Sequence, residues 1–294
     1  MEYLIHLAIL ASIYSILALS LNLVVGFTGL LSVTHAAFYG IGAYGTAILM
    51  TNLGMNFFIA LVLGILLTIV IALFIGWVLS RFKGDYYALG SFGFNIIVWS
   101  VMLNWQSLTR GPLGIPGIPR PSIDFSIFNF QFSFSSNFSF LILTALFLLL
   151  VYLLSEYIVN SSFGRALKAI REDEDALKVF GYNTPYYKLT IFLIGAGLAA
   201  LAGGLFASYI TFIDPSTFTL NESVFILSII ILGGLANNRG ALLGAAFLIL
   251  LPEILRFVGF PSDVAAQMRQ VVYGLLLVVL MMYRPKGLLG EYEL

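Results

Sequence analysis

The chain has 294 residues, of which 60% are hydrophobic and 10% are charged, and its formal net charge is zero. A soluble globular domain carries about 25% charged residues, so part of this apolar surface needs lipid around it, and a neutral chain gives no reason to expect nucleic-acid binding. The absence of cysteine excludes disulfides, thiol catalysis and cysteine metal sites.

Long apolar segments follow one another along the whole chain. A hydrocarbon core about 30 Å thick needs roughly 20 apolar residues per helix. Nine segments meet or approach this length: 3–25, 30–50, 57–80, 86–103, 138–159, 189–212, 222–235, 240–257 and 270–284. The first lacks a basic leader and is too long for the core of a signal peptide, so it is predicted to be a retained helix. The seventh is short, and either forms a re-entrant half-helix or fuses with the eighth.

These segments predict an all-α polytopic membrane protein with eight to ten transmembrane helices, folded as a single domain over residues 1–294. Small residues also recur at a spacing of four on one predicted helix, at Gly195, Ala199 and Gly203. Such a stripe lets two membrane helices approach closely, so it indicates packing and no role in solute binding.

Polar residues interrupt the apolar pattern early in the chain. Ser32, Thr34 and His35 follow two glycines in an otherwise apolar region. They indicate either a broken membrane helix that lines a solute pathway, or a tightly packed helix start in which His35 bonds a carbonyl. Asn22 and Asn95 lie inside apolar spans. Polar amides there usually bond between helices, and Asn95 is also a candidate for the solute pathway.

The segment 104–137 differs from the rest of the chain in composition. It contains closely spaced helix-breaking residues, namely Gly111, Pro112, Gly114, Pro116, Gly117, Pro119 and Pro121. Phenylalanines then alternate with polar residues over 128–134, which predicts a short strand or hairpin. This strand caps the outer mouth, touches a partner, or packs its phenylalanine face on the helix ends.

Lysine and arginine set the predicted orientation. Segment 160–188 contains five of them, whereas the longer segment 104–137 contains two. Because basic loops stay in the cytoplasm, 160–188 is predicted inside, 104–137 outside and the C-terminus inside. Nine spans then place the N-terminus outside.

Segment 160–188 predicts an amphipathic cytoplasmic helix over 162–181. Ser161 or Ser162 can cap it, Gly181 suits the left-handed position that ends it, and Thr184 and Pro185 suit the N-cap and first turn of the next helix. Its apolar residues recur at helical spacing: Phe163, Leu167, Ile170, Leu177 and Phe180. This stripe either lies on the lipid surface or fills a groove in a partner protein, and the acidic run 172–175 favours the partner.

Four stretches resemble one transporter family. The sequence G-R-A-L-K-A-I-R-E from Gly164 to Glu172, followed by Gly181, resembles the cytoplasmic loop of branched-chain amino acid ABC permeases. Stretches 26–44, 104–118 and 232–245 resemble further motifs of that family in the same order. The long outer Gly/Pro loop resembles the M-type subunits rather than the H-type. Leu30 departs from the family pattern, where glutamine is usual, and so does 237–239.

The resemblance implies a permease subunit of an ATP-driven importer of branched-chain or other hydrophobic amino acids, which works by alternating access. It implies a second, H-type permease subunit, two ATP-binding cassette subunits that dock on the cytoplasmic loop, an extracytoplasmic substrate-binding protein, and the inner membrane of a prokaryotic cell. The residues it assigns to ATPase coupling are Gly164, Arg165, Leu167, Ala169, Ile170, Arg171, Glu172 and Gly181. Urea and short-chain amide importers share these motifs and stay open as alternatives.

Other function classes find little support in the sequence. A self-sufficient secondary transporter or a channel is the alternative from a different class. A proton- or sodium-driven carrier usually buries several carboxylates in mid-membrane, whereas the acidic residues here cluster at segment ends and loops. The chain has no G-x-x-x-x-G-K-[ST], H-E-x-x-H or G-x-S-x-G motif, and only two histidines. We therefore expect no catalytic residues, metal site or cofactor, and we expect ATP hydrolysis to occur in partner chains.

Overall fold

The computed structural model describes residues 2–82, 84–125, 130–134 and 136–256, together with 271, 274–275, 278–279, 282–283 and 286–290. Side chains are described throughout these ranges except at 123–125, 130–133 and 253–256. The predicted ninth segment, 270–284, therefore lies mostly outside the described residues, and so do Phe128 and Asn129.

Helices dominate the described part of the chain. In chain order they are α1 (Glu2–Leu21), α2 (His35–Leu53), α3 (Phe57–Leu79), α4 (Asp85–Asn104), α5 (Gln106–Thr109), α6 (Asn137–Asn160), α7 (Ser162–Glu172), α8 (Glu174–Val179), α9 (Thr184–Ile210), α10 (Leu220–Gly233) and α11 (Asn238–Arg256). A π-helical turn over Asn22–Gly26 extends α1. Each predicted span from 3–25 to 240–257 corresponds to one long helix of this set.

Five of the described helices are each long and apolar enough to cross a membrane: α1 with its π-helical extension, α3, α4, α6 and α9. Helices α10 and α11 pass the same test as a pair bent by 120°, which gives six. The predicted all-α polytopic class is confirmed. The sequence predicted eight to ten spans, which is more than six. The predicted number counts α2, whose glycines and tyrosines lower its hydropathy, counts α10 and α11 separately, and counts 270–284.

Close approach of α2 and α9 forms the centre of the bundle. A Cβ atom on Gly42 would come within 2.3 Å of the Ala200 Cα, and one on Gly203 within 2.1 Å of the Tyr39 carbonyl oxygen. Only glycine permits this spacing, because any side chain would meet backbone that cannot rotate away. The packing role predicted for the stripe through Gly203 is confirmed.

The faces of α3, α4 and α6 turned away from this centre are apolar. Large hydrophobic side chains remain exposed along them, including Ile59, Leu66, Phe74, Ile97, Leu146, Leu150 and Leu153. Exposed rows of this kind on membrane-length helices match the hydrocarbon of a bilayer, so these faces are suited to lipid or to other membrane chains.

Short strands gather at one end of the bundle. Strand β1 (Ile115–Pro116) pairs antiparallel with β4 (Phe212–Ile213), which follows α9 directly. Strands β2 (Ser122–Phe125) and β3 (Phe130–Ser133) form the predicted hairpin. The glycine- and proline-rich stretch is non-helical as expected, apart from a 3-10 turn over Gly111–Leu113. Segment 104–137 is therefore attached to the end of α9.

The opposite end of the bundle holds the α10–α11 bend and the chain tail. The Asn22 Oδ1 atom, in the π-helical turn, accepts the Ala236 N–H at 3.0 Å. The tail residue Leu288 donates its N–H to the Leu232 carbonyl at 2.9 Å, and Asn237 Nδ2 donates to the Leu289 carbonyl at 2.8 Å. Asn22 thus bonds across helices, as predicted.

Candidate functional site

Segment 160–188 consists of two short helices, and the prediction of one helix over 162–181 is wrong. Ser161 caps α7 by accepting the Gly164 N–H at 3.3 Å. Asp173 then adopts an extended conformation and accepts the N–H groups of Asp175 and Ala176 at 3.0 and 2.9 Å, which starts α8. A short carboxylate competes with the helix for backbone donors, so the helix breaks at Asp173.

The positions predicted for the end of segment 160–188 and the start of α9 agree with the structure to within one residue. Gly181 has φ +87°, the predicted left-handed conformation. The cap of α9 is Asn183, which accepts the Tyr186 N–H at 3.4 Å, so the predicted cap at Thr184 is wrong by one position. Pro185 lies in the first turn of α9 as expected.

The apolar stripe of α7 packs on the chain's own helices. Leu167 and Ile170 are buried, and a Cβ atom on Gly164 would come within 2.2 Å of the Val159 carbonyl oxygen in α6. The sequence suggested that the whole stripe fills a partner's groove or lies on lipid. Its α7 half is already covered by the chain itself, so the stripe as a whole can do neither. Among the other coupling candidates of α7, Arg165 and Glu172 are exposed and Ala169 is half-buried.

An exposed apolar tip follows α8, and sequence reasoning did not separate it from the stripe. Val179 and Phe180 are 87% and 79% exposed, and Tyr182 and Tyr186 are also exposed. These four residues are called the α8 tip below. The helical spacing assigns Phe180 and Leu167 to one continuous apolar stripe, but the break at Asp173 puts them on separate helices. Asp173 as a capping residue is the signal that could have revealed the tip.

Helix α7 contacts the end of α1 through two basic side chains. The Arg171 guanidinium donates to the Gly26 carbonyl, and its side chain lies against Gly29, which has φ +70°. The Lys168 ammonium lies 5.7 Å from the centre of the Phe27 ring, in a cation–π arrangement. Segment 160–188 therefore touches the point at which the first membrane helix ends.

An ion pair fastens α8 to α9. Lys188 is 3% exposed, and its ammonium binds the Glu174 carboxylate, which also accepts from Lys178 at 2.9 Å and from Thr184 at 2.9 Å. Burial alone would raise the pKa of the Glu174 carboxyl, but the hydrogen bonds from Lys188 and Lys178 hold it below the ordinary value. The carboxylate is therefore charged at neutral pH and bound to α9.

Glu174→Gln is expected to loosen α8 from α9, because it leaves the buried Lys188 charge without its counter-ion. The cost is about 1–3 kcal/mol, the usual penalty for a buried polar group that loses its partner, measured as faster hydrogen exchange over 174–182. Since the folded-state pKa is lowered, this contribution is complete above the ordinary value of 4.5 and is lost as the pH falls through the lowered pKa. Asp175→Asn, in the same turn but 73% exposed, should change the exchange little; equal effects would contradict the assignment.

A polar hub surrounds the break between α1 and α2. The Val33 N–H donates to Ser91 Oγ at 3.0 Å, and Asn95 Nδ2 donates to the Val33 carbonyl and to Ser223 Oγ, both at 2.7 Å. Ser223 Oγ also accepts the Ala36 N–H at 3.0 Å. Side chains of α4 and α10 thus bind the backbone groups that the break frees. These five residues are called the hub below.

The predicted pathway residues all lie at this break. Ser32 Oγ and Thr34 Oγ1 are hydrogen-bonded at 2.9 Å, and Asn95 binds the carbonyl between them. His35 is fully buried, and neither ring nitrogen has a hydrogen bond of normal geometry within the described residues, although the ring lies beside the Ser20 backbone. The structure brings Ser32, Thr34, His35 and Asn95 together, and it adds Ser91 and Ser223. Single serines in apolar spans are too common to signal such a role.

The chain matches a known protein family over nearly its whole length. Residues 3–281 match the protein family described as the branched-chain amino acid transport system permease component. The chain belongs to this family. Its 36% identity to the high-affinity branched-chain amino acid transport system permease protein LivM of Salmonella typhimurium covers 97% of the chain and 69% of that protein, and LivM of Escherichia coli gives the same values. No solved structure matches the chain.

The family contains a second type of subunit that is less similar to this chain. The permease protein LivH of Escherichia coli is 28% identical over 97% of the chain and 93% of that protein. The higher identity to LivM confirms the M-type resemblance. This member of the permease family is a multi-pass membrane protein and a transport subunit, so the break, the hub and segment 160–188 are parts of a permease.

Proposed function

We propose that this chain is the transmembrane permease subunit of an ATP-driven importer of branched-chain amino acids. The observation that carries the proposal is the contact between the coupling helix α7 and the break between α1 and α2. Arg171 binds Gly26 at one side of the break, and the hub binds Val33 at the other. A displacement of α7 therefore reaches a polar region inside the membrane through bonded neighbours.

Alternating access follows from two attachments of the coupling segment. Arg171 connects α7 to the break, and the Glu174–Lys188 pair connects α8 to α9. The far end of α9 continues into β4, which pairs with β1 of segment 104–137. ATPase subunits that bind the segment more tightly in one state than in the other would shift both the break and the outer end, because a partner changes an equilibrium only through its differential contacts.

The partners in this proposal are a second, H-type permease subunit, two ATP-binding cassette subunits and an extracytoplasmic substrate-binding protein. The exposed α8 tip supports docking of the ATPase, because Val179 and Phe180 offer apolar anchors at the end of a charged segment. In the family resemblance, coupling belongs to Gly164–Glu172 and Gly181. Within this set, the exposed Arg165 and Glu172 are suited to direct contact, whereas the buried Leu167 and Ile170 hold α7 on the bundle.

The proposed location is the inner membrane of a prokaryotic cell, with residues 160–188 and the C-terminus in the cytoplasm and segment 104–137 outside. The distribution of basic residues supports this orientation. The bonds from 288–289 to the α10–α11 bend also support it, because the bend is joined by Asn22 to the same end of α1 that Arg171 contacts.

Phe180→Ala is expected to weaken binding of the ATPase subunits about thirtyfold, because truncating an aromatic hot-spot residue at an interface costs about 2 kcal/mol or more. Co-purification and titration of the ATPase on the detergent-solubilised permease would measure this. Tyr157→Ala is the control, since Tyr157 is 75% exposed on α6, outside the coupling segment. Unchanged ATPase binding by the Phe180 variant would remove the tip from the docking surface.

Uptake by the assembled transporter in proteoliposomes tests the proposed function. Leucine uptake should require ATP, both permease subunits and the binding protein. ATP-dependent uptake of urea without uptake of leucine would support the amide-importer alternative. Leucine uptake by the purified chain alone, driven by a proton or sodium gradient, would show a secondary transporter instead.

A further inference from the structure

A small cavity lies directly beside the hub. Its volume is about 270 Å³, and its lining comes from α4 and from the start of α10: Asn95, Ile96, Trp99, Thr219, Leu220 and Asn221. Sites for drug-sized ligands usually occupy about 300–1,000 Å³, so this cavity suits a smaller solute. Its position at the hub puts it next to the one membrane region that the coupling segment reaches through Arg171 and the break.

One polar atom of the hub has no hydrogen-bond partner among the described residues, and it belongs to Asn95, which lines the cavity. Asn95 is 1% exposed, and its Nδ2 atom makes two hydrogen bonds, but its Oδ1 atom has no partner in the described part of the chain. Buried amide oxygens are nearly always hydrogen-bonded in folded proteins. A buried acceptor that lacks a donor, on a residue that lines a cavity, points to a ligand that brings one as it enters, such as an ammonium group.

The start of α10 offers the complementary chemistry. Thr219 precedes this 14-residue helix and makes no side-chain capping hydrogen bond to it. The first-turn N–H groups and the positive end of the helix dipole favour a carboxylate. Glu222, the acidic residue of this turn, does not line the cavity and accepts a hydrogen bond from Tyr14 of α1 at 2.6 Å.

Three lining residues form an apolar wall of the cavity. Ile96, Trp99 and Leu220 supply aliphatic and aromatic surface, and the Trp99 indole is held in place because its Nε1 donates to the Pro215 carbonyl at 3.0 Å. An apolar wall with a few placed polar groups is the usual composition of a small-molecule site. The aliphatic side chain of a solute can lie on this wall.

We propose that this cavity is the intramembrane binding site for the amino-acid solute. The carboxylate of the zwitterion lies at the first turn of α10, its ammonium donates to Asn95 Oδ1, and its aliphatic side chain packs on Ile96, Trp99 and Leu220. The assignment rests on the proposed function, which supplies the solute class. It adds the site, and it explains why the hub joins α4, α10 and the break, because all three then move with the bound solute.

Cysteine labelling tests this assignment directly, since the chain has no cysteine of its own. Ile96→Cys and Asn221→Cys place a thiol in the lining, and Leu89→Cys is the matched control. Leu89 is exposed and lies seven residues before Ile96 on the same side of α4, away from the cavity. Each variant is assembled with its partner subunits in proteoliposomes and treated with a maleimide, and modification of this chain is followed by mass.

L-leucine at ten times its dissociation constant should slow the modification of Ile96→Cys and Asn221→Cys about tenfold, because about one transporter in eleven remains empty. The rate at Leu89→Cys should not change, and L-glutamate should protect none of them. If the unmodified complex imports leucine but leucine does not slow labelling of the lining positions, this site is wrong. If neither lining position labels at all, another chain fills the cavity, and the site is also wrong.

Ile96→Trp adds a functional measurement that separates this inference from the proposed function. The larger side chain takes up part of the cavity and covers its apolar wall, so ATP-dependent leucine uptake should fall to about a tenth or less, whereas Leu89→Trp should transport normally. Normal uptake by the Ile96 variant would overturn the site and leave the importer proposal intact. Absence of leucine uptake by the unmodified complex would overturn the importer proposal itself.

Discussion

In the proposed importer, Arg171→Glu is expected to uncouple leucine transport from ATP hydrolysis while the ATPase subunits still bind. The substitution replaces the guanidinium that donates to the Gly26 carbonyl with a carboxylate that repels it. A hydrogen bond to a charged group contributes about 1.5–3 kcal/mol, so the α7 contact with the break should open. Transport per ATP hydrolysed should fall by about tenfold or more, measured in proteoliposomes that contain the full complex.

Two further variants make this prediction specific. Arg171→Lys keeps a donor and should keep partial coupling. Arg165→Glu, on the exposed face of the same helix, should weaken ATPase binding instead of uncoupling a bound ATPase. If Arg171→Glu couples normally, or if it only loses the ATPase as the Arg165 variant does, then the contact with Gly26 does not transmit the movement.

Gly203→Ala is expected to destabilise the whole bundle. The new Cβ atom would lie 2.1 Å from the Tyr39 carbonyl oxygen, and since that oxygen belongs to the backbone of α2, the two helices must separate. Overpacking of a tight interior costs about 1–3 kcal/mol and occasionally more. Helix α9, which contains Gly203, also carries Lys188 of the ion pair with Glu174. The yield of folded protein and its thermal midpoint in detergent should both fall.

Gly93→Ala is the matched control for that prediction. Gly93 lies in α4, and a Cβ atom there would meet nothing within 4 Å. Replacing a helical glycine with alanine should therefore leave stability unchanged or raise it by up to about 1 kcal/mol. If Gly203→Ala is as stable as the Gly93 variant, the close approach of α2 and α9 is not required for the fold.

The sequence predicted the long helices well because a membrane helix needs an uninterrupted apolar run. The ends of α3, α4 and α6 lie within one residue of the predicted segments. Segment 160–188 was predicted less well. The helical spacing of the apolar residues Leu167 and Phe180 predicts one amphipathic helix. It cannot show that Leu167 is covered by the chain itself and that Phe180 is exposed.

The candidate site was predicted in part for a similar reason. Ser32, Thr34 and His35 follow two glycines as one polar group, and Asn95 is an amide inside an apolar span, so the sequence marks these four residues. It does not mark Ser91 and Ser223, because their role depends on the place where α4 and α10 pass the break, and serine can satisfy its own hydroxyl within any helix. The cavity beside Asn95 is a property of the packed helices, and no single segment contains it.

Helix α9 has 27 residues, so at 1.5 Å per residue it is a rod about 40 Å long, held at one end by Lys188 and continuing at the other into the strand paired with 115–116. A rod transmits in both directions. In the proposed importer, if nucleotide changes the affinity of the outer face for its delivery protein by some factor, docking of that protein must change the affinity for nucleotide by the same factor. A loaded carrier outside would then act as an effector of the motor inside, without any solute having crossed.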